Sequence, residues 1–297
     1  MNKRIIIRKF KDIVFFVVVI VLTLLTLLPL FMILKYILVM GYESFSLDFL
    51  FNTPRPIGEL GGGMAHAIVG SMIVVVLAAA LAIPLGIIAG TYLSEFKEEG
   101  FFDSKISAAL AFLLDILAST PSIVLGIFSY VFLVLPWKSF SAVAGSVALS
   151  LVMIPIVAKS TEEILKVFPN TYREAGQALG LSKGKIIWHI LIKCNRGSLL
   201  TGVVLALSRA MGETAPLLFT AFGNNFLSYN LTAPMATLPV QIFNYASSPV
   251  KDWQMQAWSG AMVLIATVFS INLAARLFLF SSSGKSNRNL NIDIKAI

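Results

Sequence analysis

Twenty-two consecutive residues without a charge, Ile13 to Leu34, head a chain in which five more apolar stretches are long enough to cross a bilayer. These are His66 to Leu93, Ile106 to Leu135, Ser141 to Ala158, Leu199 to Phe222 and Ala257 to Phe280. A hydrocarbon core of ~30 Å takes about 20 helical residues. Backbone polar groups inside it must be satisfied by helices or by a closed barrel. Runs of this length and apolarity read as an all-α, polytopic membrane protein with about six transmembrane helices. The composition agrees: 57% hydrophobic residues, 13% charged residues and a mean hydropathy of +0.85 are far from a soluble domain of 297 residues. The first run follows Lys3, Arg4, Arg8, Lys9 and Lys11 but exceeds a signal-peptide core and ends without a small-x-small cleavage site. It is read as a retained helix.

Six crossings put both termini on one side, and the basic residues choose it. With a cytoplasmic N-terminus, eighteen Lys and Arg fall in inner segments, including Lys97 and Lys105 in the first loop and seven between Lys159 and Arg196. The outer loops hold Arg55, Lys138 and Lys251. Positive residues collect on the cytoplasmic face, so the termini are expected there, in a cell or inner membrane. The +8 net charge is thereby a topology signal, and no basic patch with interleaved aromatics suggests nucleic acid. The lone Cys194 excludes an internal disulfide.

Charge inside a span is costly and marks function. The run LLTGVVLALSRAMGETAPLLFTAF contains Arg209 and Glu213, which share one face at i and i+4 if the run is helical. Arginine is charged at every relevant pH and offers a planar donor fork to an oxyanion. Glu213 can hold that fork between substrates, and the alternative is a salt bridge that only fixes helix packing. Asp115 lies in the third run beside Ser119, Thr120 and Ser122, where it either lines a path or bonds a neighbouring helix. Glycines at 70, 86, 90, 126, 145, 202 and 212 predict closely packed spans. Pro29, Pro84, Pro121, Pro155 and Pro216 predict kinks. His66 has no second ligand at metal spacing, and neither a catalytic triad nor a phosphate loop appears, so the chain is not an enzyme.

The inner segment from Lys159 to Asn195 is amphipathic instead of apolar. Pro169-Asn170 and Gly180-Leu181-Ser182 punctuate it, predicting a short helix over Thr171 to Leu179 with a cap at Ser182. The outer loops Gly41 to Ala65 and Gly223 to Gln256 either connect spans or dock an external partner. The tail SSSGKSNRNLNIDIKAI is expected to be unstructured.

Glu174-Ala175-Gly176, three residues, Gly180, nine residues and Ile190 resemble the E-A-A-x3-G-x9-I-x-L-P loop of type I ABC importer permeases. The chain departs from it at Gly176, Ile192 and Lys193. Ser208 to Leu218 is similar to the R-A-x-G-E-T-A-P-L-L signature of phosphate-specific ABC importers, and its ending looks more like the A-type of their two permease subunits. Pro121 to Gly126 and Thr237 to Phe243 resemble the same group. The resemblance covers about residues 64 to 280. It implies a type I permease domain there, with a coupling loop at about 159–195, an N-terminal region at 1–63 and a cytoplasmic tail at 281–297. It also implies that Glu174, Ala175, Gly176 and Gly180 meet an ATP-binding subunit, and that Arg209, Glu213 and Thr214 border a phosphate path, to which Asp115 is added on its place in the third run. The expected partners are a second homologous permease, two ATP-binding subunits that hold the ATP and Mg, an external phosphate-binding protein and lipid; the chain itself binds no cofactor. Two rivals stay open: a permease for another oxyanion or nutrient, and an ATP-independent anion channel or membrane scaffold.

Overall fold

The computed structural model describes residues 3–56, 59, 61–96 and 101–294; Lys97 and Lys295 lie outside them. The chain runs through α1 (Lys3–Glu43), α2 (Leu47–Phe51), α3 (Ala65–Glu95), α4 (Phe101–Ser119) and α5 (Ser122–Ser129). A π-helical turn, Tyr130–Val134, carries α5 into α6 (Leu135–Trp137), and α7 (Ala142–Val167) follows. Next come α8 (Thr171–Ala178), α9 (Lys183–Lys185), a second π-helical stretch, Ile186–Leu191, and α10 (Ile192–Cys194). The chain ends with α11 (Arg196–Met211), α12 (Ala215–Leu218), α13 (Leu238–Ala246) and α14 (Lys251–Ile294). Among the described residues no strand is present.

Four helices are long and apolar enough to cross a membrane unbroken: α1, α3, α7 and the Lys251–Leu277 part of α14. One crossing expected as a continuous helix is a bent pair, and a second bend precedes the fifth run. Asp103–Ser119 and Ser122–Trp137 meet at 107°, and Lys183–Cys194 meets Arg196–Met211 at 74°. The third apolar run is therefore not one helix, and the fifth stops short. At 1.5 Å per residue the sixteen residues of α11 span about 24 Å, less than the ~30 Å of hydrocarbon.

Burial sorts the helices. The apolar window of α7 is 67% buried and that of α1 is 0% buried, so α7 is the central post and α1 the periphery. Ser141 starts α7 by accepting a hydrogen bond from the Ala144 amide at 3.1 Å. Its Leu149, Met153 and Val157 pack with Val74, Ala78 and Ala82 of α3 and with Val203, Ala206 and Ala210 of α11. The α3–α7 pairing is the most extensive in the molecule. It depends on small residues as the sequence predicts, since a methyl on Gly90 would lie 2.3 Å from the Ala158 carbonyl oxygen.

The outer-loop segments build a second core, in which Phe49 of α2 joins Met64, Ala67, Leu238 and Tyr245. Lys159 belongs to α7, which continues to Val167 before the inner segment leaves the bundle. The polar tail read as unstructured continues α14 as helix to Ile294.

Candidate functional site

Two of the broken crossings face one another. Helix α4 stops at Ser119, and Pro121 leads into α5. The Ser119 and Thr120 hydroxyls donate to the Ile116 carbonyl at 3.1 and 2.6 Å, beside the Thr120 amide that donates to the same oxygen at 2.9 Å. Helix α11 stops at Met211, and Pro216 sits in the first turn of α12, where its missing amide costs nothing. The two restarts touch, because Gly126 of α5 rides so close to α12 that a Cβ would fall 2.5 Å from the Pro216 Cα.

Arg209 stands in the last turn of α11 and Glu213 just beyond it, so the pair is not on a continuous helix as the i, i+4 spacing suggested. Its members still meet, Arg209 Nε to Glu213 Oε1 at 3.3 Å. The arginine side chain is 57% exposed and the glutamate 15%. Glutamate thus holds the guanidinium through Nε alone, and among the described residues the two Nη amines carry no partner. The Arg209 side chain reaches the α4–α5 break, where it lines a cavity of about 50 Å³ with Thr120, Ser122, Leu125 and Pro155. Thr214 is the next residue of the same break, half-buried.

Asp115 does not join them. It pairs with Lys159 of α7 at 2.9 Å, both side chains partly exposed. Lys159 is the residue that sequence reasoning counted only as an inner-side charge. Its position ten residues before Pro169, within reach of an unbroken α7, was the available signal.

The amphipathic segment folds as its punctuation predicts. Helix α8 covers Thr171–Ala178 with Leu179 as C-cap. Gly180 has φ +73, its amide donates to Gln177 O, and the Leu181 amide donates to Gly176 O at 3.1 Å. This paired hydrogen-bond pattern ends a helix on a left-handed residue. Ser182 has the extended backbone of an N-cap without a side-chain capping bond. Glu174 and Ala175 are exposed, whereas Gly176 is buried. A Cβ on Gly176 would lie 2.8 Å from Ile186 Cγ1, which accounts for glycine where the motif has alanine. Glu174 to Gly180 and the Arg209 break are thus separate places in the fold, joined by α11 and the segment before it.

Residues 82–281 match the family described as binding-protein-dependent transport system inner membrane component. The chain is 45% identical to the phosphate transport system permease protein PstA of Xylella fastidiosa (strain 9a5c), over 80% of this chain and 82% of that one. It is 42% identical to the protein of the same name from Haemophilus influenzae, over 80% and 83%. It is 37% identical to the probable phosphate transport system permease protein PstA of Methanocaldococcus jannaschii, over 92% and 95%. Among solved structures, the MetNI methionine ABC transporter in an inward facing conformation contains a chain of similar fold. The TM-score is 0.60 at 16% identity, over 73% of this chain and 96% of that one.

Proposed function

The chain belongs to the inner membrane components of binding-protein-dependent transport systems, and from that membership we propose that it is the permease subunit of an ATP-driven phosphate importer. The observation that carries the site assignment is the Arg209–Glu213 pair at the break of α11, with the Nη edge of the guanidinium open. A desolvated oxyanion needs donors that nothing else occupies, and an arginine fork supplies two in parallel. Glu213 holds the arginine in place from its Nε side and stands as the counter-charge when phosphate has left. Ser122 adds a hydroxyl in the same cavity lining, and the positive end of α5 opens beside it.

Exposed Asp115, Lys159 and Arg209 lie in apolar crossings, flanked by exposed Phe112, Ile116, Ile123 and Ile127. Charges facing lipid would cost several kcal/mol, so this face is covered by a second, homologous permease. Phosphate passes between the two bundles as they rock. The chain hydrolyses nothing. ATP and Mg belong to two subunits that dock on α8 at Glu174, Ala175, Gly176 and Gly180, on the cytoplasmic side. The inner basic residues, seventeen with Lys159 placed in its crossing, support that side, against Lys35 near the far end of α1 and the three of the outer loops. On the opposite face, clefts of about 360 and 520 Å³ share Arg55, Pro56 and Trp253 and offer a seat to an external phosphate-binding protein.

The test is phosphate uptake per assembled complex in proteoliposomes. Arg209→Gln should lower it by roughly 100-fold and Arg209→Lys by about 10-fold, since lysine keeps the charge and loses the fork. Glu213→Gln should slow uptake through retention of the anion. A fully active Arg209→Glu, Glu213→Arg double variant would rule out a phosphate contact at Arg209.

A further inference from the structure

Arg173 of α8 uses all of its hydrogen-bonding capacity. Its Nε donates to Glu95 Oε2 at 2.9 Å and Nη2 to Glu95 Oε1 at 2.6 Å, a bidentate pair with the last residue of α3. Nη2 also donates to Leu165 O at 2.9 Å and Nη1 to Phe168 O at 2.9 Å, two carbonyls at the end of α7. Nη1 reaches Asn170 Oδ1 at 3.1 Å, which takes the side chain that would otherwise cap α8. A guanidinium has five N–H donors, and each has a partner here. Glu95 is 6% exposed and Arg173 19%, and the Ser94 hydroxyl also donates to Glu95 Oε1. Hydrogen bonding to Glu95 raises the Arg173 pKa above its ordinary value, so the charge persists at every working pH.

The other limb of the same loop grips the same spot. Lys183 Nζ donates to the Glu95 carbonyl and lies 4.0 Å over the Phe96 ring, which stacks on Tyr92. Both sides of the α8 turn therefore converge on two consecutive residues at the end of α3, the helix that packs most extensively on the central α7.

We infer that Arg173 is a positioning residue, the rigid joint that fastens α8 to the ends of α3 and α7 together. A push on α8 then moves the α3–α7 pair instead of bending the loop. Four directed bonds to two other helices, with the fifth to the N-cap of α8 itself, leave α8 no independent rotation. Lysine cannot replace it, because three donors on one nitrogen cannot reach a carboxylate and two carbonyls at once. The inference rests on the reading of α8 as the contact with the ATP-binding subunits.

The test uses the full complex in vesicles, with phosphate moved per ATP hydrolysed as the readout. Arg173→Lys and the isosteric Glu95→Gln should keep ATP hydrolysis while phosphate per ATP falls about 10-fold, an effect that a lowered amount of complex cannot produce. Spin labels on exposed Ile88 of α3 and Gln177 of α8, in a Cys194→Ser background, should give one distance, unchanged between nucleotide-free and nucleotide-trapped complexes. In Arg173→Lys that distance should broaden. An unchanged phosphate-to-ATP ratio in both variants, or a label distance that shifts between states with Arg173 intact, overturns the joint. A complex with Arg173 intact that hydrolyses ATP and moves no phosphate overturns the transport reading instead, and the label distances still decide the joint.

Discussion

Arg209 and Arg173 are both arginines paired with a glutamate at the broken end of a helix, and they are wired in opposite ways. Arg209 is 57% exposed and makes one hydrogen bond, at 3.3 Å, leaving its Nη edge open. Arg173 is 19% exposed and makes five, as short as 2.6 Å. An arginine that must seize and release an anion needs unspent donors, whereas one that holds three segments together must have none to spare. Counting occupied donors thus separates a binding arginine from a structural one where charge, partner type and helix position do not.

The largest contrast is of place. If the Arg173 region faces the cytoplasm, then Ser182→Cys in a Cys194→Ser background should resist an impermeant thiol reagent added to intact cells. Ser247→Cys, exposed beyond α13, should be labelled fully. The reverse labelling would put α8 on the side without ATP and remove the functional half of the comparison. Next in size is the contact that keeps the Arg209 break in shape. Gly126→Leu would drive a side chain into the backbone of Pro216 and should cost about 3 kcal/mol, seen as loss of folded complex in thermal unfolding. Gly212→Ala is the control: its Cβ would be 3.7 Å from the nearest atom, the Arg209 carbonyl oxygen, so stability should hardly move.

The two regions also differed in how far the sequence reveals them. Helix α8 is legible to within a residue because Pro169-Asn170 and Gly180 are local signals, and local signals act through φ and missing amides alone. The breaks at 120 and 213 are not, because the apolar runs continue across them and proline by itself does not decide. Pro29, Pro84 and Pro155 stay inside unbroken helices. What distinguishes Pro121 and Pro216 is the polar residues just before them, Ser119-Thr120 and Glu213-Thr214; at the first break both hydroxyls donate to the Ile116 carbonyl. The Arg173–Glu95 pair lies beyond any local rule, since 78 residues separate its members and only the packing of α3 against α7 brings them together. The Asp115–Lys159 pairing was hidden for the same reason.

That second ion pair sharpens the comparison at an intermediate scale. In the isolated, detergent-solubilised chain, where both members are more than a third exposed to solvent, the pair should contribute about 0–1 kcal/mol to stability. Asp115→Asn and Lys159→Gln should therefore leave the melting temperature nearly unchanged. If the pair borders the phosphate path, Asp115→Asn frees a cation there and should lower the phosphate concentration at half-maximal uptake, while Lys159→Gln should raise it. Equal responses of the two variants would class the pair with Arg173, as a fastening.

The most local effect, and the most informative for its size, is expected at Gly180. Its φ of +73 costs a residue with a Cβ about 1–2 kcal/mol, yet a Cβ built there would meet nothing within 4 Å. Backbone conformation, not room, is what glycine supplies. In the isolated chain, Gly180→Ala and Gly180→Trp should therefore unfold at nearly the same temperature, and Gly180→Asn should recover part of the loss, because asparagine tolerates the left-handed region. In the assembled complex the two should part company. An ATP-binding subunit seated over α8 fills the space that is open in the isolated chain, so tryptophan should weaken its co-purification and alanine should not. Equal behaviour of the alanine and tryptophan variants in the complex would show that no partner covers this end of α8, and the docking surface would then have to lie toward Glu174 and the helix start.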